Sequence, residues 1–118
     1  MAIRANITRD DMWFRFERKF YVITVTDAAG NTVNLNASLL TWKIRKEKNS
    51  STVYLALNSN VGGGLSKSGP NTNLVTITVN PGDYTNLPAG VHYHELWDDT
   101  NDAELSFGDV YIHPSRGP

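Results

Sequence analysis

The chain has 118 residues, 40% of them hydrophobic, which is enough for one domain with a packed core that needs no metal or disulfide to fold. Cysteine is absent, so disulfides, thiolate zinc sites and cysteine nucleophiles are excluded together. The net charge is −1, from 11 basic and 12 acidic residues, without the basic excess of a general nucleic-acid binder.

Ile3 to Thr8 reads as the first strand. The next begins near Trp13 and runs to Thr26, broken around Glu17 to Lys19; Tyr21, Ile23 and Val25 share one face and Phe20, Val22 and Thr24 the other. Ala28-Ala29-Gly30-Asn31 is a turn, and Val33-Asn34-Leu35 a short return strand. In Leu39 to Lys46, Leu40, Trp42 and Ile44 alternate with Thr41, Lys43 and Arg45, so Trp42 is the expected central aromatic of the core. Thr52 to Leu57 is the next strand. The glycine-rich run about 60–72, from Val61-Gly62-Gly63-Gly64 to Pro70, reads as a flexible loop.

Asn73 to Val79 alternates strictly, with Val75, Ile77 and Val79 on one side, so one face is buried and one wet. Pro81-Gly82 ends that ladder, Asp83 to Leu87 allows one helical turn, and Leu87-Pro88-Ala89-Gly90 turns the chain again. Val91 to Trp97 and Leu105 to His113 form the last strands, joined by a hairpin turn at Asp99-Thr100-Asn101-Asp102. Seven to eight short strands without helical periodicity predict an all-β antiparallel sandwich. Residues 1–118 form a single domain, without a run near the ~20 apolar residues of a membrane span.

His92 and His94 share a strand face, and with His113 they suggest a metal site; no spacing fixes a third ligand, so satisfied core histidines are the simpler reading. Asp98, Asp99, Asp102 and Asp109 supply oxygens for calcium but match no complete ligand loop. Gly-x-Ser-x-Gly and the phosphate-loop pattern are both absent, so no enzyme activity, cofactor or metal is expected. Trp13, Phe14, Arg15, Phe16 and Arg18 combine aromatic and basic groups. They read either as a docking strand that adds to a neighbour's sheet edge or as a strand packed on its own sandwich. The basic amino-terminal part (Arg4, Arg9, Arg15, Arg18, Lys19) and the acidic segment Asp98 to Asp109 place opposite charge in different parts of the chain.

Several motifs together resemble small immunoglobulin-like domains of tailed-bacteriophage and prophage virion proteins, including the amino-terminal domain of baseplate upper proteins. They are Ile7-Thr8-Arg9-Asp10, Val25 to Leu35, Leu40 to Lys46, Val75 to Val79 with Asp83 and Leu87-Pro88-Ala89-Gly90, Glu95-Leu96, and Gly108 to Pro114. The chain departs from the pattern at Asp10-Asp11, in the long Gly62 to Pro70 loop, and at His92 and His94, where such domains tend to carry tyrosine. The resemblance implies an immunoglobulin-like β-sandwich and a non-enzymatic structural protein of the virion, a capsid decoration protein or a small tail or baseplate component. Its expected partners are other phage structural proteins or copies of itself, with no nucleic acid and no membrane. The contact residues would be Trp13, Phe14, Arg15, Phe16 and Arg18 together with loop residues Gly62, Gly63 and Gly64. In such a sandwich His92 would take the place of a corner tyrosine and hydrogen-bond back to the preceding loop. The competing expectation is a carbohydrate-binding sandwich, with Trp97, Tyr84, His92 and His94 as the sugar platform.

Overall fold

Alternating apolar residues on short runs leave each strand with one face to bury, and two such sheets bury them against each other. A computed structural model describes residues 3–7, 13–69 and 72–115 of the chain. Its eight strands are β1 (Ile3–Ile7), β2 (Lys19–Asp27), β3 (Leu40–Arg45), β4 (Val53–Asn58), β5 (Leu65–Ser68), β6 (Leu74–Val79), β7 (Gly90–Asp98) and β8 (Ala103–Ile112). One sheet has the order β1-β2-β6-β5 and the other β4-β3-β7-β8, with every ladder between strands antiparallel. Residues Thr8 to Met12, including the Arg9-Asp10-Asp11 part of the sequence pattern, lie outside the described residues.

The apolar halves of the strands meet between the sheets. Ile23 and Val25 of β2 and Val75, Ile77 and Val79 of β6 come from the first sheet; Leu40, Trp42 and Ile44 of β3, Leu96 of β7 and Val110 and Ile112 of β8 from the second. Trp42 is 1% exposed and occupies the centre, as its place on β3 predicts. Trp13 joins it, its ring 6.3 Å from that of Trp42 at an interplanar angle of 23°. The turn from β7 to β8 is built on Asp98, whose carboxylate accepts from the Thr100 and Asn101 N–H groups, the Asn101 amide and the Ser38 hydroxyl. Pro81–Tyr84 forms a 3-10 turn in place of a longer helical turn.

Three expectations are corrected. The glycine-rich stretch is not a free loop: Leu65–Ser68 is β5, registered on β6 from Leu65↔Ile77 to Ser68↔Leu74. Gly63 O accepts from Asn58 N–H at 2.9 Å and Gly64 O from Thr78 N–H at 2.8 Å, so the glycines make a tight corner. Val33-Asn34-Leu35 is not a strand; the segment touches the sheet through a bridge at Thr32, and Leu35 is buried as a core plug. The Lys67 ammonium gathers the carbonyls of Leu35, Asn36 and Ser38 and holds this segment against β5. Finally, the chain from Trp13 to Arg18 is not a continuous strand: after a one-residue bridge at Phe14 it turns, with Phe16 at φ 70°.

Gly63 shows why glycine is needed at that corner. A Cβ there would sit 2.0 Å from Asn58 Oδ1 and 2.5 Å from the Asn58 carbonyl oxygen. At Gly62, with φ 78°, a Cβ would meet no atom within 4 Å. Gly63→Ala is therefore expected to lower stability by about 1–3 kcal/mol through overpacking, and Gly62→Ala by roughly 1 kcal/mol through backbone strain alone. Urea unfolding of the two variants checks the order. Trp42→Ala, which empties the centre of the core, should cost about 3–5 kcal/mol in the same measurement.

Candidate functional site

The aromatic-basic segment is mostly spent inside the domain. Trp13 is 2% exposed, and its indole N–H donates to the Tyr84 hydroxyl, which in turn donates to the Glu17 carbonyl. Burial pushes the Tyr84 hydroxyl above its ordinary pKa, against the lowering effect of the Trp13 bond. Arg15 clamps the β6–β7 connection through its Nε to Leu87 O at 2.7 Å and Nη2 to Tyr84 O at 3.0 Å. Its guanidinium also lies over the Phe16 ring. Backbone bonds from Arg15 N–H to His113 O and from His113 N–H to Trp13 O lay this stretch beside the end of β8. The segment thus adds to a sheet edge, and the edge is its own. Of the five predicted contact residues there, Phe16 and Arg18 are exposed, Phe14 and Arg15 half-buried, and Trp13 is core. Gly62 is exposed, while Gly63 and Gly64 are half-buried in their corner.

The histidines separate. His92 Nε2 donates to Pro88 O at 2.7 Å, the bond back to the preceding loop expected of a corner tyrosine. Because the carbonyl can only accept, Nδ1 is left as the lone pair, buried without a partner. His94 accepts at Nδ1 from the Trp42 indole N–H at 3.3 Å. Desolvation pulls its pKa down to about 4, although Asp109 and Glu95 pull the other way. Both rings are over nine-tenths buried. His113 lies beyond β8 against Phe14 and Tyr111. Among the described residues no group of three or more His, Asp or Glu side chains is placed to hold a metal ion. The predicted sugar platform does not assemble: Tyr84, His92 and His94 are buried, and Trp97 alone of the four is part-exposed.

The outward face of the second sheet carries what the sequence reading missed. Thr41 and Lys43 of β3 stand opposite Trp97 and Glu95 of β7. The β3–β4 loop folds over them, held by Arg45 Nη1 to Ser50 O at 3.0 Å and Lys46 N–H to Thr52 O at 3.0 Å. The result is a polar cleft of about 660 Å³, lined by Thr41, Lys43, Arg45, Glu95, Trp97 and Asp99, with Asn49 and Ser50 on its loop side. Glu95 is 8% exposed and forms an ion pair with Arg45. Burial raises its pKa, but the Arg45 bond, the Trp97 indole, the Arg45 charge and a bond to Glu104 together hold it below the usual value. Glu104 is raised, by burial first and then by its bond to Glu95 and that neighbour's charge. Asp99 accepts from the Thr41 hydroxyl. Further along the same face, Val91 and Tyr111 are directly paired across β7 and β8 and both exposed. Phe107 is 60% exposed and its ring contacts Tyr93. The signal for both features was present as outward alternation in Thr41-x-Lys43-x-Arg45 and Phe107-x-Asp109-x-Tyr111; closure of the loop over the first was not.

No family model matches this chain, and no curated protein matches it. Among solved structures it is similar to the Lin-41 filamin domain, at 11% identity and a TM-score of 0.52, over 96% of this chain and 93% of that one. This domain is an immunoglobulin-like β-sandwich. The strand orders agree, since β1-β2-β6-β5 against β3-β7-β8 reproduces the four-plus-three pattern of that fold, with β4 added beside β3. At this identity the similarity concerns the fold alone.

His94 makes the sandwich sensitive to acid. Its folded pKa of about 4 lies below the ordinary 6.5, so the unfolded chain binds its proton first. The contribution of neutral His94 is complete above pH 6.5 and is lost as pH falls toward 4, by roughly 3 kcal/mol over that window. Glu104 works the other way, because a raised carboxyl pKa favours the folded state as pH falls. Denaturant unfolding at intervals between pH 7 and 4 should show the loss, and His94→Phe should flatten that part of the profile.

Proposed function

We propose that this immunoglobulin-like domain is a non-enzymatic structural component of a tailed-phage particle, a capsid decoration protein or a small tail or baseplate component that binds neighbouring virion subunits or further copies of itself. The virion setting rests on the resemblance of the turn and strand motifs from Val25 to Leu35, Leu40 to Lys46 and Gly108 to Pro114. The binding role rests on one observation: Phe107, Tyr111 and Val91 stand outward on β7 and β8, 60%, 49% and 63% exposed. Exposed single apolar side chains are ordinary, whereas a strip of adjacent ones on a sheet face marks a contact surface. Among the described residues β8 has one ladder neighbour, β7, while β1 lies against it and Phe14 bridges near its end at His113. Asp109 stands between Phe107 and Tyr111 along the strand and is exposed, which favours a partner whose apolar ridge carries a basic group. Many copies on one particle turn modest contacts into firm attachment.

The double variant Phe107→Ala, Tyr111→Ala is expected to keep its unfolding midpoint nearly unchanged, since surface substitutions usually stay within about 0.5 kcal/mol. It should weaken co-sedimentation with the parent particle by about tenfold or more if these rings are anchors. Cryo-electron microscopy of the particle supplies the direct check: density for this domain on the shell, tail or baseplate with β8 toward a neighbour is the expected outcome, and its absence from the particle refutes the assignment.

A further inference from the structure

Beyond the apolar strip on β8, we propose that the cleft between the β3–β4 loop and the β7–β8 turn is a binding site for a neutral saccharide, with Trp97 as its aromatic surface and Thr41, Lys43, Asn49 and Asp99 as its polar contacts. The cleft has the volume of a small-ligand site, about 660 Å³. Its lining contains one aromatic side chain, Trp97, and is otherwise polar or charged. An indole presents a flat face with negative π-density, which suits the weakly positive C–H face of a sugar ring. The hydroxyls of that ring need both donors and acceptors, and Lys43, Asn49, Ser50 and Asp99 supply both.

The same lining argues against other ligand classes. Glu95, Asp99 and Asp102 outnumber Lys43 and Arg45 in the lining, and Arg45 is already paired with Glu95, so the remaining charge disfavours a phosphate or a nucleic-acid backbone. Among the described residues no group of three or more His, Asp or Glu side chains is placed to hold a metal ion. An apolar peptide side chain would find no aliphatic wall there, because none of the exposed large apolar side chains is in the lining.

The floor is also held in place before any ligand arrives. Thr41 and Trp97, and Lys43 and Glu95, are opposite partners in the β3–β7 ladder, so their spacing is set by backbone hydrogen bonds. Glu95 is fixed by Arg45, and Arg45 by the Ser50 carbonyl, which also anchors the loop wall. Fixed polar groups lose little freedom on binding, and such preorganisation is what a site for a strongly hydrated ligand requires.

The test is an NMR titration of the 15N-labelled full chain with cello-, manno- and chito-oligosaccharides. A saturable shift of the Trp97 indole N–H together with the Thr41, Asn49 and Ser50 amides is expected for at least one sugar series. Trp97→Ala should weaken that binding by about tenfold or more, and Trp97→Tyr should recover part of it. Asn49→Ala, on an exposed loop position, gives an independent loss should Trp97→Ala fail to fold. The proposal is overturned if no series gives saturable shifts, if the shifts are indifferent to Trp97→Ala and Asn49→Ala, or if inorganic phosphate or an acidic peptide shifts these residues where sugars do not. The Phe107 and Tyr111 variant keeps this cleft intact, so loss of particle attachment and loss of sugar binding are separable results.

Discussion

The hydrogen bond from the Trp42 indole to His94 Nδ1 is the constraint on which the interior is arranged. An indole N–H at the centre of a dry core must find an acceptor, and an unmet buried donor costs about 1–3 kcal/mol. β7 supplies the acceptor as a neutral imidazole, which requires that His94 stay unprotonated. Trp13 then stacks on Trp42 and Tyr21 meets both rings, so the aromatic cluster reaches from β3 across to β2. Tyr84 closes it, its hydroxyl accepting from the Trp13 N–H and donating to the Glu17 carbonyl. The polar atoms that Trp42, Trp13 and Tyr84 bring into the core are each met by a partner from a different segment. That is how the stretch before β2 and the β6–β7 connection become tied to the sandwich.

Once these rings are committed inward, recognition falls to the outward faces. The first sheet turns Thr24, Thr76 and Thr78 outward together with Val22, Leu74 and the exposed Phe20. The second sheet is differentiated along its length. At one end the β3–β4 loop and Arg45 border a polar cleft beside a carboxyl pair, Glu95 lowered against burial by its Arg45 bond and Glu104 raised by burial. At the other end Val91, Tyr111 and Phe107 leave apolar area in water. Irregularities separate the elements: the β3–β4 ladder shifts register at Arg45 and the β7–β8 ladder at Trp97, each next to a residue that lines the cleft. Register shifts of this kind re-aim side chains, and here they lie beside the polar cleft.

The sandwich was legible because period-two alternation is a local property. Val75, Ile77 and Val79 announce a half-buried strand whatever they pack against, and Trp42 on an apolar face announces the core. The role of His92 was legible too, because a polar ring near the start of that strand has a carbonyl within reach in the turn before it. Composition misled at Gly62 to Gly64. Glycine signals a turn, but whether the turn is loose or wedged against Asn58 depends on a contact with a residue already placed by another strand. Trp13 and Phe14 looked like opposite faces of one strand. The chain instead bends at Phe16, because the Trp13 N–H, the Arg15 guanidinium and the Glu17 carbonyl all find partners in Tyr84 and Leu87, about 70 residues away.

The antiparallel layered class and the central tryptophan were set by the sequence alone, since they follow from side-chain periodicity and turn chemistry within a few residues; the strand list was not, because β5 read as a loop and Val33-Asn34-Leu35 as a strand. The tertiary structure alone decided that Tyr84 and His94 are interior while Trp97 is not. It also decided that Glu95 and Glu104 are neighbours whose pKa values shift in opposite directions and that a loop and a turn border a cleft on one outer face. These outcomes depend on which distant segments are brought together, and a one-dimensional pattern records which face of a strand a residue takes but not what stands opposite it.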